Sequence, residues 1–116
     1  MACTIEGVQR LCWSVPEWIA RNAFFFLIPQ LRELDQSGAE LAARLELAAR
    51  KRASFVDLSE FFSLPENRRL WRDAIDRADR VIAAEDPAKW NNPSAYTPFR
   101  ASFAKLRLIA PIETPR

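Results

Sequence analysis

The chain has 116 residues, of which 49% are hydrophobic and 28% are charged, and its formal net charge is +2. A chain of this length and composition forms one domain with its own core, and so small a net charge does not by itself favour nucleic acid or an anionic membrane as a partner. Histidine is absent, which excludes Ser-His-Asp and Cys-His catalysis as well as histidine metal ligands.

The cysteines and the apolar runs indicate a cytoplasmic protein. Two cysteines, Cys3 and Cys12, are too few to indicate a secreted disulfide scaffold. The N-terminus shows no charged segment followed by an apolar run, the pattern of a signal peptide. The longest apolar run, Ala23–Ile28, is far too short to span a bilayer. We therefore expect a cytoplasmic protein with no membrane association.

Turn residues and periodicity favour helices throughout the chain. Only two glycines occur, and no Asn-Gly or Asp-Gly dipeptide marks a hairpin. Strict alternation of apolar and polar residues is absent over any useful length, whereas helical spacing recurs. The sequence therefore predicts an all-α fold, a single-domain helical bundle of four to six helices over residues 1–110. A loose C-terminal tail with two prolines is expected over residues 111–116.

The first third of the chain predicts two helices. A short one is indicated by apolar residues at helical spacing: Ile5, Val8, Leu11 and Cys12. The segment Ser14–Glu17 then has the form of a capping box, in which the serine and the glutamate bind the first free amides. The helix that it opens is expected to run from Trp18 to about Asp35. Pro29 inside it removes one backbone hydrogen bond and predicts a kink or break.

Two further serine-led capping boxes divide the middle of the chain. Ser37–Glu40 opens a helix that is expected to end near Arg50–Arg52. A short helix is expected next, with four apolar residues along one face: Phe55, Leu58, Phe61 and Phe62. Ser63–Glu66 opens the clearest helix of the chain. Its apolar side chains between Leu70 and Ile82 fall within an arc of about 140°.

An irregular segment and a last helix follow. The segment from Pro87 to Pro98 contains three prolines and two adjacent asparagines, which predicts a long loop. Thr97 is then expected to cap a helix with four apolar residues on one face: Phe99, Phe103, Leu106 and Ala110.

Two aromatic features indicate a binding surface. Ala23–Ile28 places apolar side chains around the whole circumference of its helix. This helix is therefore either the centre of the bundle, or it is exposed on one side to a partner or a second copy. The loop residues Trp90, Asn91, Asn92 and Tyr96 are of the kinds that anchor interfaces. The equal alternative is that Trp90 covers the end of the bundle.

The acidic residues give little support to catalysis or metal binding. Asp57 and Glu60 would share one face of the short Phe55 helix, where two carboxylates can divide acid and base roles, but a solvated face is the simpler interpretation. Asp73, Asp76 and Asp79 alternate with arginines, and Asp73 and Asp76 each have an arginine four residues away on both sides; such cations oppose metal binding. We predict no catalytic residue, no metal and no cofactor.

Two basic clusters remain as candidate contact sites. One is formed by three consecutive residues, Arg50, Lys51 and Arg52, and the other by three arginines of the next long helix, Arg68, Arg69 and Arg72. Such clusters bind phosphates when several cations share one face. Acidic residues in the same helix and the near-neutral net charge argue against nucleic acid as the partner, and an acidic protein face suits the second cluster better.

Elimination favours a binding role. We predict a non-enzymatic bacterial protein-interaction module that binds and neutralises or regulates one cognate protein, as immunity proteins, antitoxins and adaptors do; a homodimer is a further possibility. The predicted partner-binding residues come from the loop and the second basic cluster: Trp90, Asn91, Asn92, Tyr96, Arg68, Arg69 and Arg72. The alternative function is a nucleic-acid-binding regulator that uses both basic clusters.

Overall fold

The computed structural model describes residues 2–111, which form a three-stranded sheet packed against four α-helices. The strands are β1 (Ala2–Glu6), β2 (Cys12–Pro16) and β3 (Phe55–Asp57). The helices are α1 (Glu17–Arg32), α2 (Gln36–Arg50), α3 (Pro65–Ala84) and α4 (Tyr96–Ala104). Short 3-10 turns connect several of these elements. Of the predicted tail, residues 112–116 lie outside the described residues.

The prediction of an all-α fold is wrong, because the chain begins with a β-hairpin in place of a short helix. β1 pairs antiparallel with β2 and parallel with β3, which gives the strand order β2-β1-β3. Cys3 and Ile5 of β1 face the core together with Trp13 and Val15 of β2. Burial therefore alternates along both strands, but over too few residues to stand out against the helical spacing of the same segment.

The hairpin turn also lacks the residues by which such turns are recognised. Gln9 and Arg10 adopt φ angles of 53° and 65°, the left-handed region that glycine and asparagine usually occupy. Gly7 donates its N–H to the carbonyl of Leu11 at 2.7 Å. A Cβ atom at Gly7 would lie 2.0 Å from the carbonyl oxygen of Ile109, so glycine is required there by contact with the C-terminal segment.

The predicted helix around Phe55 is a strand. Val56 is buried between the exposed Phe55 and Asp57, and the backbone of β1 holds both ends of β3. The Thr4 N–H donates to the Ser54 carbonyl, and the Leu58 N–H donates to the Glu6 carbonyl, both at 2.8 Å. Three residues are too few for a readable sequence pattern, and the partner strand lies far earlier in the chain.

The helices begin close to the predicted positions, but not through the predicted serine caps. Ser14 lies within β2. Asp35 caps α2, because its Oδ1 accepts hydrogen bonds from the amides two and three residues later, at 3.0 Å and 3.3 Å. Ser63 donates its hydroxyl to the Glu60 carbonyl at 2.7 Å and does not cap α3.

The core lies between the inner face of the sheet and the helices. Among residues 2–111 its largest fully buried side chains include Trp71, Phe62, Phe99 and Phe103. The predicted long helix of the chain is confirmed as α3, and most of its apolar face is buried, although Val81 is exposed. Pro29 lies inside α1 without ending it. Within the described part of the chain, no helix has both the length and the apolar composition needed to cross a membrane.

Candidate interaction groove

The loop before α4 places Trp90 against the end of the core. The ring centroid of Trp90 lies 5.2 Å from that of Tyr96, in an edge-on arrangement, and 5.5 Å from that of Phe99. These contacts leave the indole half-buried. Trp90 therefore covers the end of the bundle, as one of the two interpretations of its sequence predicted, and it also borders an open surface.

The other predicted loop residues differ in their exposure. Tyr96 belongs to the core, where its hydroxyl donates to the carbonyl of Ile82 at 2.7 Å and ties α4 to the end of α3. Asn91 and Asn92 are exposed. The Asn92 Oδ1 accepts a hydrogen bond from the hydroxyl of Ser94 at 2.6 Å, which holds the loop in its turn.

The apolar run of α1 has one exposed member, Phe25. Its side chain is 71% exposed, whereas the rest of the run is buried: Ala23, Phe24, Phe26, Leu27 and Ile28. The ring of Phe25 meets that of Phe26 edge-on, with centroids 5.3 Å apart. α1 is thus an inner helix that presents two large aromatic side chains to solvent, Phe25 and, near its start, Trp18.

Phe25 and the loop together border an open groove of about 580 Å³, called here the aromatic groove. Its lining comes from α1 and from the segment before α4: Trp18, Asn22, Phe25, Phe26, Lys89, Trp90, Asn91, Asn92 and Ala95. Lys89 is the one charged residue in this lining. A second groove of about 550 Å³ lies on the other side of Phe25, between α1 and residues of α2 and α3.

Hydrogen bonding divides the four tryptophans into two pairs. The indole N–H of Trp13 donates to the Ser102 carbonyl at 2.8 Å, and that of Trp71 donates to the Leu106 carbonyl at 2.9 Å. Within residues 2–111 no hydrogen bond to a protein acceptor is found for the indole N–H groups of Trp18 and Trp90, and both rings line the aromatic groove. An apolar ring with a free polar tip is typical of an interface anchor.

The three arginines of the second basic cluster do not form one exposed patch. Arg68 is only 7% exposed, and its Nη1 donates to the carbonyl of Phe62 at 3.0 Å. Arg72 is half-buried and donates to the carbonyl of Arg107 at 3.2 Å. Arg69 alone of the three is exposed. The guanidinium groups of Arg68 and Arg72 thus bind this protein's own backbone, which weakens both their predicted contact role and the nucleic-acid alternative.

The predicted acidic pair is not arranged as one helix face, since the helix is replaced by β3 and a turn. The carboxylate of Asp57 accepts hydrogen bonds from the amide and the hydroxyl of Ser59, at 2.9 Å and 2.6 Å. These bonds hold the pKa of Asp57 below its usual value. Glu60 is exposed. In the described residues, no three cysteine or acidic side chains converge on a possible metal site.

The aspartates of α3 pair with arginines, partly from outside the helix. Asp73 contacts Arg77 at 3.3 Å, the predicted spacing of four residues. Asp76 contacts Arg107 at 2.6 Å, and Asp79 contacts an arginine of α4 at 3.5 Å. These carboxylates therefore connect α3 to the C-terminal part of the chain, which the sequence did not indicate.

Comparison with known proteins adds no assignment to this geometry. No protein-family model matches the chain, and no curated protein or solved structure matches it either. Its function is inferred from the arrangement of its own residues.

Proposed function

We propose that this protein is a non-catalytic interaction module that binds one cognate protein through the aromatic groove. One observation carries the proposal: the exposed ring of Phe25 borders the same groove as the free indole N–H groups of Trp18 and Trp90. Burial of a phenylalanine side chain contributes about 1.5–3 kcal/mol. Tryptophans are among the residues that dominate binding energy when a partner excludes water around them.

The cytoplasm is the compartment that we propose for this binding. Cys3 and Cys12 are both free thiols, one buried in the core and one exposed on β2. Unpaired thiols are typical of proteins kept in a reducing environment. The single lysine of the aromatic groove favours a partner segment that presents apolar side chains together with carbonyl or carboxylate acceptors.

The proposal is tested by substituting Phe25 and by a matched control. Leu108 is 65% exposed, close to Phe25 in exposure, and lines neither of the two grooves. Phe25→Asp and Leu108→Asp are compared with the unmodified protein in affinity capture from the source cells and in sedimentation. Both variants are expected to unfold at nearly the same temperature as the parent, because each side chain is largely exposed.

We expect Phe25→Asp to weaken the captured complex at least about tenfold and Leu108→Asp to leave it unchanged. If a second copy is the partner, a concentration-dependent dimer replaces the captured protein and is lost in Phe25→Asp alone. Equal capture by all three proteins, or a monomer that captures nothing, would overturn the proposal.

A further inference from the structure

A cavity of about 250 Å³ lies where the start of β1 meets α1 and the end of α2. It shares no lining residue with the aromatic groove. Five alanines and Phe24 form its apolar wall, and four polar or charged side chains complete it: Cys3, Glu17, Arg21 and Arg52. An apolar cavity of about 150 Å³ is large enough for benzene. This cavity therefore has room for a short apolar side chain with a polar head group.

Arg52 lines this cavity from an unusual backbone position. Two hydrogen bonds close the end of α2, from the Ala53 N–H to the Ala48 carbonyl at 2.9 Å and from the Arg52 N–H to the Ala49 carbonyl at 3.2 Å. This is a Schellman motif, whose left-handed residue is usually glycine. Arg52 occupies that position with a φ of 50°. A guanidinium therefore stands beside the cavity at a position where the backbone favours a residue with no side chain.

The charged groups around the cavity are not paired with one another. Arg21 and Arg52 are exposed and Glu17 is half-buried. None of the ion pairs found within residues 2–111 uses any of these three side chains. The thiol of Cys3 is 4% exposed, and burial, with a smaller effect of the nearby Glu17 charge, raises its pKa. The cavity thus combines two cations, one anion and a neutral thiol.

We propose that this cavity binds a free α-amino acid with an apolar side chain. Arg21 and Arg52 bind the carboxylate, Glu17 binds the ammonium group, and the alanines and Phe24 surround the side chain. A simple carboxylic acid would leave Glu17 opposed to its charge, and a simple amine would leave both arginines without a partner. A zwitterion complements all three charges. This site does not depend on the proposed protein-binding function.

The experiment uses L-leucine as the probe and the Cys12→Ser protein, in which Cys3 is the one remaining thiol. Titration calorimetry measures the affinity for leucine. The rate at which methyl methanethiosulfonate modifies Cys3 shows whether leucine binds in this cavity, because Cys3 lines it. We expect leucine to bind and to slow the modification. N-acetyl-L-leucine and L-leucinamide each lack one charge, and each is expected to bind about tenfold more weakly or worse.

Substitutions test which charged side chains of the cavity contribute to leucine binding. Arg52→Gly and Glu17→Gln are expected to weaken leucine binding about tenfold or more, whereas Arg50→Gln, a charge change outside the cavity lining, leaves it unchanged. Arg52→Gly is also expected to raise the Tm of the unliganded protein, so its loss of binding cannot result from unfolding. The absence of binding at tens of millimolar leucine would overturn the proposal. So would leucine binding that is equal in all variants, or equal binding of the two derivatives.

Discussion

The backbone of Arg52 is strained by its side chain, and the strain can be measured. A left-handed conformation costs a non-glycine residue about 1–2 kcal/mol, and part of this is offset by the greater freedom of glycine in the unfolded chain. Arg52→Gly is therefore expected to raise the free energy of unfolding by about 0.5–1 kcal/mol in urea denaturation. The control is Lys51→Gly, whose φ of −83° is ordinary helical backbone. A lower stability for Arg52→Gly would contradict this interpretation of the helix end.

Asp57 gives the folded state a dependence on pH. Hydrogen bonds from Ser59 lower the pKa of Asp57 in the folded protein, so its contribution to stability is present above the unfolded pKa and is lost as the pH falls through the folded one. Asp57→Asn is expected to have a lower Tm than the parent near neutral pH, with the difference shrinking below about pH 4. Ser59→Ala removes the hydrogen bond from the hydroxyl but keeps the one from the amide, so the same pH dependence is expected with a smaller difference in Tm. A difference in Tm that stays constant down to about pH 2 would count against this assignment.

At the scale of elements, Arg68 connects α3 to the turn that precedes it. Its guanidinium is buried and bound to the carbonyl of Phe62 at 3.0 Å, and loss of a hydrogen bond to a charged group costs about 1.5–3 kcal/mol. Arg68→Ala is therefore expected to lower the free energy of unfolding by about this amount. Its neighbour Arg69 is exposed, so Arg69→Ala is expected to change it by less than about 0.5 kcal/mol. If chemical denaturation shows the same small change in the free energy of unfolding for both variants, the buried hydrogen bond of Arg68 does not stabilise the fold.

Helices and strands differed in how far the sequence could predict them. α3 was predictable because its residues from Leu70 to Ile82 repeat one apolar face, a local property of the sequence. The hairpin was missed because Gln9 and Arg10 take a backbone conformation that the sequence does not indicate. β3 was missed because it exists through pairing with β1, a contact between distant parts of the chain. Local patterns therefore predicted the long helices, and tertiary contacts determined the sheet.

At the scale of the whole molecule, the aromatic groove is assembled from segments far apart in the chain. Trp90, Asn91 and Asn92 were predicted from their place in a loop, and Ala23–Ile28 as a run exposed on one side was one of two alternatives. That the loop and this run border the same groove, together with Trp18, was not predicted. Trp18 and Phe25 are seven residues apart, which places them on one face of a helix, and this spacing was the available signal. The arginines of α3 could not be assigned in the same way, because the acceptor of Arg68 lies in the turn before α3 and that of Arg72 depends on where the C-terminal segment returns.

The two tryptophans of the groove provide a test of its role that spares the fold. Phenylalanine keeps an aromatic ring but removes the indole N–H, and within residues 2–111 no protein acceptor is found for the indole N–H groups of Trp18 and Trp90. Trp18→Phe and Trp90→Phe are therefore expected to change the Tm little. Each is expected to weaken partner binding about threefold to tenfold, since a net hydrogen bond contributes about 1 kcal/mol.

Trp71→Phe is the matched control for this comparison. The indole N–H of Trp71 donates to the carbonyl of Leu106 at 2.9 Å inside the core. Removing this hydrogen bond is expected to lower the free energy of unfolding, but Trp71 lies too deep to contact a partner. Binding measured at a temperature where all variants are folded should be weaker for the two groove variants and unchanged for Trp71→Phe. If binding stays the same in both groove variants, the partner does not use the indole donors. The face bearing Phe25 would then bind through its apolar surface alone, which the Phe25→Asp variant measures separately.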